Sequence, residues 1–88
     1  MIAIRELLSR IRWDPEFGRG SFTIGYYDRV RKRIVKVPLT RIGFDHDARE
    51  RIEAVEEDGS VHAVPYHRIR EVYRDGELIW ERSAPGGT

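Results

Sequence analysis

The segment from Arg70 to Glu81 constrains this chain more than any other stretch, because it specifies its own partner. At its centre stands Asp75-Gly76, a dipeptide suited to a two-residue hairpin turn in which both central residues take positive φ. Folding the segment there sets Arg74 against Glu77, Tyr73 against Leu78, Val72 against Ile79 and Arg70 against Glu81. Two charge pairs and two apolar pairs fall opposite one another, as cross-strand energetics favour. A lone hairpin is marginal in water, so the rest of the chain must supply more strands and a packed face.

A second pair, Asp58-Gly59, predicts another two-residue hairpin, with arms from Ile52 to Glu57 and from Val61 to Val64. Upstream, Phe22, Ile24 and Tyr26 alternate with Thr23, Gly25 and Tyr27, the pattern of a half-buried strand. Val35, Val37 and Leu39 alternate in the same way, and Pro38 places that strand at a sheet edge or marks its end. Ile4, Leu7, Leu8 and Ile11 fall at i, i+3, i+4 and i+7, one stripe of an amphipathic helix. Pro15 disfavours helical geometry at Asp14, so the helix is expected to end near Arg12, with Trp13 plugging its end. Asp14 to Gly20 reads as a loop, and Pro65-Tyr66-His67-Arg68 as a single 3₁₀ turn cornering between two strands. No internal repeat or low-complexity tract stands out. The expected class is α+β: an N-terminal helix packed on a small, strongly bent antiparallel sheet, or a partly open barrel, of five to six strands. Residues 1–82 form a single domain in this reading, and residues 83–88, with Pro85, Gly86 and Gly87, a flexible tail.

With 88 residues the chain supports one small core and no deeply enclosed substrate cavity. It has no Cys, which excludes disulfides, thiolate metal sites and cysteine nucleophiles together. No apolar run is long enough to span a bilayer, and the start lacks the layout of a signal peptide. A soluble cytoplasmic protein with no membrane partner is expected.

The net charge is only +1, yet the charge is segregated. From Arg29 to Arg41 there are six cations (Arg29, Arg31, Lys32, Arg33, Lys36, Arg41) and no acid. From Asp45 to Asp58 there are seven acids against Arg49 and Arg51. The basic side chains comprise 14 Arg and only Lys32 and Lys36, and Arg is the better fork for phosphate oxygens. Genome composition or a hot-living host also enriches Arg, and charge runs are usually solvated faces. An acid-free cationic hairpin beside aromatic residues points further, to nucleic acid, where counterion release and base stacking both contribute.

For catalysis the sequence offers little. A His62/His67 pair would suit general acid–base cleavage of RNA, but the two stand on either side of the Pro65 bend. In Asp45-His46-Asp47, neighbouring side chains of an extended chain point to opposite faces, so no metal site is expected. Ser9, Ser21 and Ser60 lack a nucleophile context, and no phosphate-cradling glycine loop is present. Two-histidine phosphoesterases use paired His-x-Ser/Thr motifs, which His62-Ala63-Val64 and His46-Asp47-Ala48 do not match. No catalytic residue and no cofactor are therefore assigned. Groups that contact RNA are dense in Arg12-Trp13-Asp14, in Ile24 to Arg29 and in Val64 to Ile69. Tyr26 shares a face with Phe22 and Ile24 and belongs to the core in this reading, Trp80 packs beneath the last hairpin, and Asp28 orients Arg29 or caps a turn.

The ordered set LLSRIRWDP, IGYYDR, VPYHRI and VYRDGELIWER resembles a small, mainly archaeal family of RNA cyclic-group-end recognition domains over residues 1–82. The resemblance implies an RNA-binding module for 3′ ends that carry a 2′,3′-cyclic phosphate, with RNA-processing or repair enzymes as further partners. The family's polar positions fall on Asp28, Arg29, His67 and Arg68, and its hydrophobic closing position on Trp80. On that basis Arg29 and Arg68 are expected at the phosphate, His67 as a phosphate donor, and Tyr27 or Tyr66 beneath the last base. Arg31, Lys32 and Arg33 extend the phosphate-binding surface. Two alternatives are a small phosphodiesterase or ribonuclease acting on the cyclic phosphate through His62 and His67, and a protein-interaction module using the acidic stretch from Asp45 to Asp58.

Overall fold

The computed structural model describes residues 3–44 and 50–82. Helix α1 spans Ile4–Trp13 and buries Ile4, Leu7, Leu8 and Ile11. It stops where Asp14 turns extended, and the Asp14 carboxylate then accepts the N–H groups of Glu16 and Phe17 at 3.1 and 3.2 Å. Trp13 does not plug the helix end; it is 70% exposed. Two residues beyond Ile11 it points about 200° away from the buried stripe, and Phe17 packs on the core instead.

Seven strands follow among the described residues: β1 (Phe22–Asp28), β2 (Arg33–Pro38), β3 (Ile42–Phe44), β4 (Arg51–Val55), β5 (Val61–Pro65), β6 (Ile69–Arg74) and β7 (Glu77–Glu81). They form two antiparallel sheets, ordered β2-β1-β6-β7 and β3-β4-β5, rather than one bent sheet or barrel of five to six strands. The strand missing from the sequence reading is β3. Its three residues, Ile42-Gly43-Phe44, are too few to show alternation, and pairing with β4 is what makes them a strand.

Both Asp-Gly hairpins form, each with a correction. At Asp75-Gly76, Arg74 faces Glu77 and Tyr73 faces Leu78 as expected, but a bulge then sets Val72 against Trp80 and Glu71 against Glu81. The bulge turns the larger Trp80 ring inward beside Val72 and leaves Ile79 38% exposed. At Asp58-Gly59 the turn is wider than two residues. Val55 pairs with Val61, the Glu56 N–H donates to the Ser60 carbonyl, and three residues close the loop with Gly59 at φ 87°.

A duplication emerges that the sequence reading overlooked. Val37-Pro38-Leu39-Thr40-Arg41-Ile42 and Val64-Pro65-Tyr66-His67-Arg68-Ile69 share the pattern V-P-x-x-R-I. Each is a strand end, an extended proline and a 3₁₀ corner, Leu39–Arg41 or Tyr66–Arg68, closed by an Ile N–H to the first corner carbonyl. The first corner carries the chain from the four-stranded sheet to the three-stranded one, and the second carries it back. The units β1–β2–corner–β3 and β4–β5–corner–β6 thus match, with Ile24 and Ile52 both fully buried, Tyr26 answering Ala54, and Lys32 (φ 56°) answering Gly59. One core joins both units, α1 and β7, through Ile24, Val37, Ile52, Val64, Ile69, Val72 and Trp80.

Candidate nucleic-acid interface

The tip of the β1–β2 hairpin is built by Asp28. Its Oδ1 accepts the N–H of Val30 at 2.8 Å and of Arg31 at 3.1 Å, and its carbonyl accepts the Lys32 N–H at 2.7 Å. These backbone donors, chiefly Arg31, hold the Asp28 carboxyl below its ordinary pKa. Asp28 is thus the cap of the turn, and Arg29, Lys32 and Arg33 stand exposed around it.

Arg31 turns the other way. Its guanidinium forks onto Glu56, Nη1 to Oε1 at 2.5 Å and Nη2 to Oε2 at 3.0 Å, with Nε 3.7 Å from Asp28 Oδ2. The same carboxylate lies 2.6 Å from His62 Nε2, and Ser60 Oγ is 3.3 Å from that nitrogen. The Glu56 side chain is only 12% exposed, and the bonds from Arg31 hold its pKa below the usual range. This network ties the tips of the two duplicated hairpins together.

Between them runs a groove of about 260 Å³. Tyr26, Tyr27, Asp28 and Arg29 form one wall, and His62, Val64 and Arg68 the other. The Tyr26 ring is core, as expected, but its hydroxyl has no hydrogen-bond partner among the described residues. Burial, with Glu56 and Asp28 nearby, raises the pKa of this phenol, so it remains a proton donor. A buried donor left unpaired costs about 1–3 kcal/mol.

The corner splits the residues expected from sequence. Tyr27, Asp28, Arg29 and Arg68 meet in this groove, whereas Tyr66 and His67 line a second cavity, of about 540 Å³, with Arg5, Glu50, Trp80 and Arg82. Arg31 lines a third recess, and Lys32 and Arg33 are exposed at or beside the hairpin tip. His62 and His67 therefore do not converge on one ligand. The sequence offers His62 only as half of a catalytic pair, although it stands two residues before buried Val64, on the same face of β5. The Tyr26 hydroxyl had no sequence signal, because the same ring reads as core.

The duplicated unit provides an internal comparison. Its corner arginine, Arg41, lines the recess of about 330 Å³ together with Glu57 and Asp58. The residues following the matched acids, Asp28 and Glu56, are thus Arg29 in one unit and Glu57 in the other. Similar backbones carry a cationic groove beside Arg68 and a mixed-charge recess beside Arg41.

Among the described residues no group of His, Asp and Glu side chains is arranged to hold a metal ion, and Asp45-His46-Asp47 lies outside them. No helix among the described residues is long and apolar enough to cross a membrane. No solved structure matches the chain closely enough to be significant. The model of a protein family described as the MJ1316 RNA cyclic group end recognition domain matches residues 1–82, a span that contains the groove, the second cavity and both corners. The chain therefore belongs to the MJ1316 RNA cyclic group end recognition domain family, and is an RNA-binding module of that kind.

Proposed function

We propose that the groove between the β1–β2 tip and the second corner holds the 2′,3′-cyclic phosphate that closes an RNA 3′ end. The observation that supports it most is the meeting of Arg29 and Arg68 across one groove lined also by Tyr27 and His62, where the matching unit has Glu57 in the place of Arg29. A cyclic phosphodiester carries one negative charge shared by two non-bridging oxygens. Arg68 forks onto those oxygens, and Arg29 adds a second cation from the opposite wall. His62, tied through Nε2 to Glu56, lines the groove beside Arg68 in place of the expected His67. Tyr27 supplies the flat face for the terminal base. A 3′-hydroxyl end lacks the charge, and an open 3′-phosphate brings a free 2′-hydroxyl and a larger head. The module then delivers such ends to RNA-processing or repair enzymes of the cytoplasm.

Arg41 is the natural control, being the same corner position without the cationic groove. Arg68→Ala is expected to weaken binding of a short cyclic-ended RNA by tenfold or more, which is about 1.4 kcal/mol, and Arg41→Ala to change it by less than about twofold. Equal losses from the two variants would sink the assignment.

A further inference from the structure

The second corner does more than support Arg68. It is a single 3₁₀ turn, and its adjacent residues serve different spaces: Arg68 lines the groove, and His67 and Tyr66 line the cavity of about 540 Å³ on the other side. Consecutive Cα atoms lie about 3.8 Å apart, so one short turn serves both spaces. We infer that this second cavity is a subsite for the nucleotide preceding the cyclic end, with its base against Tyr66 and its phosphate beside His67. The inference rests on the reading of the Arg68 groove given above.

The chemistry of the cavity suits a nucleobase. The Tyr66 ring is half-buried, packed on the core on one side and lining the cavity on the other. Ile4 and Trp80 give the cavity an apolar floor, and the Arg5–Glu50 pair at the rim offers both donors and acceptors to a base edge. The cavity is also held open at the corner. The Tyr66 N–H donates to the Glu50 carbonyl at 2.8 Å, and Arg82 holds the Tyr66 carbonyl. A base therefore meets a wall that is already in place.

The duplication supplies a second, independent argument. At the matching corner the same two positions are Leu39 and Thr40, and the space there measures only about 210 Å³. A 3₁₀ corner of this kind therefore folds without an aromatic ring or an imidazole. Tyr66 and His67 are extra chemistry placed on a corner that does not need them.

The test copies the first corner onto the second, in the double variant Tyr66→Leu/His67→Thr, with His67→Thr alone as a variant altered only at an exposed position. The probes are adenosine 2′,3′-cyclic phosphate and the dinucleotide ApA ending in the same cyclic group. The parent protein is expected to bind the dinucleotide about tenfold more tightly, the scale of one stacked base. The double variant is expected to lose that advantage while holding the mononucleotide as before, and His67→Thr to lose part of it. A dinucleotide advantage that survives both variants, or a mononucleotide affinity that falls in step, would overturn the subsite and leave the Arg68 groove standing. If Arg68→Ala leaves both probes unaffected, the groove reading fails, and the subsite with it.

Discussion

Arg82 closes the corner opened by Tyr66. Its Nη2 donates to the Tyr66 carbonyl at 2.5 Å and to the Ile69 carbonyl at 3.0 Å, while Nε reaches Ile69 at 3.3 Å. The backbone N–H of Arg82 also donates to the Arg70 carbonyl at 2.8 Å. One side chain after the last strand therefore fixes the turn that carries His67 and Arg68. Burial, and then the neighbouring Arg70 charge, lower the pKa of its guanidinium, which nonetheless stays protonated.

Removing that clamp is expected to loosen the site as well as the fold. Arg82→Leu leaves carbonyls of the corner without their donor, at a cost of about 1–3 kcal/mol. Urea unfolding reads the stability loss. Titration of cyclic-ended RNA at a temperature where the variant is fully folded is expected to show weaker binding as well, because Arg68 no longer has a fixed position.

Acid is expected to weaken the fold through the carboxylates of the two hairpin tips. Bonds from Arg31 lower Glu56, backbone N–H groups lower Asp28, and Ser60 lowers Asp58. Each binds its proton more weakly folded than unfolded. The stability they add is thus present above the unfolded carboxylate values, at about pH 4, and is lost as pH falls through the lower folded values. Urea midpoints are expected to hold from about pH 6 to 5 and to drop below about pH 4. Glu56→Gln is expected to start lower and to lose less on acidification.

Lys32 adopts φ 56°, where its counterpart is Gly59. A side chain in that region costs about 1–2 kcal/mol, against about 0.5–1 kcal/mol of added flexibility for glycine. Lys32→Gly is therefore expected to leave stability unchanged or slightly raised, by thermal or urea unfolding. If Lys32 meets RNA phosphate, the same variant is expected to bind RNA more weakly, with the salt dependence of log K shallower by about 0.7. A stability gain with unchanged RNA binding would remove Lys32 from the interface.

The cyclic end is expected to survive contact with the protein. Opening it needs a base and an acid on the reacting bonds, yet His67 lines the other cavity and His62 is held between Glu56 and Ser60. Prolonged incubation of cyclic-ended RNA, read by end-group analysis, is expected to return the starting material. Conversion to a monophosphate that is lost in His62→Ala would instead make the module an enzyme.

Much of this fold was legible because local patterns carried it. The stripe Ile4, Leu7, Leu8 and Ile11, the alternation around Ile24, the turn at Asp75-Gly76 and the 3₁₀ corner at Tyr66–Arg68 all form as read. What escaped depends on partners distant in sequence. β3 exists through β4, and the bulge at Ile79 exists because Trp80 must reach the core. The matching V-P-x-x-R-I corners were in plain view, but their kinship lies in six residues and becomes evident through shared topology. For the site, composition and resemblance selected residues, whereas only the corner's geometry separates Arg68 from its neighbour His67.

The central claim is that the Arg68 groove reads the end of the RNA rather than phosphate in general. Its most direct test is one short single-stranded RNA carrying a 2′,3′-cyclic phosphate, a 3′-phosphate or a 3′-hydroxyl, titrated at two salt concentrations. The account predicts binding at least tenfold tighter to the cyclic end, about 1.4 kcal/mol, with the preference kept at the higher salt. Equal affinities for all three ends, falling together as salt rises, would contradict it.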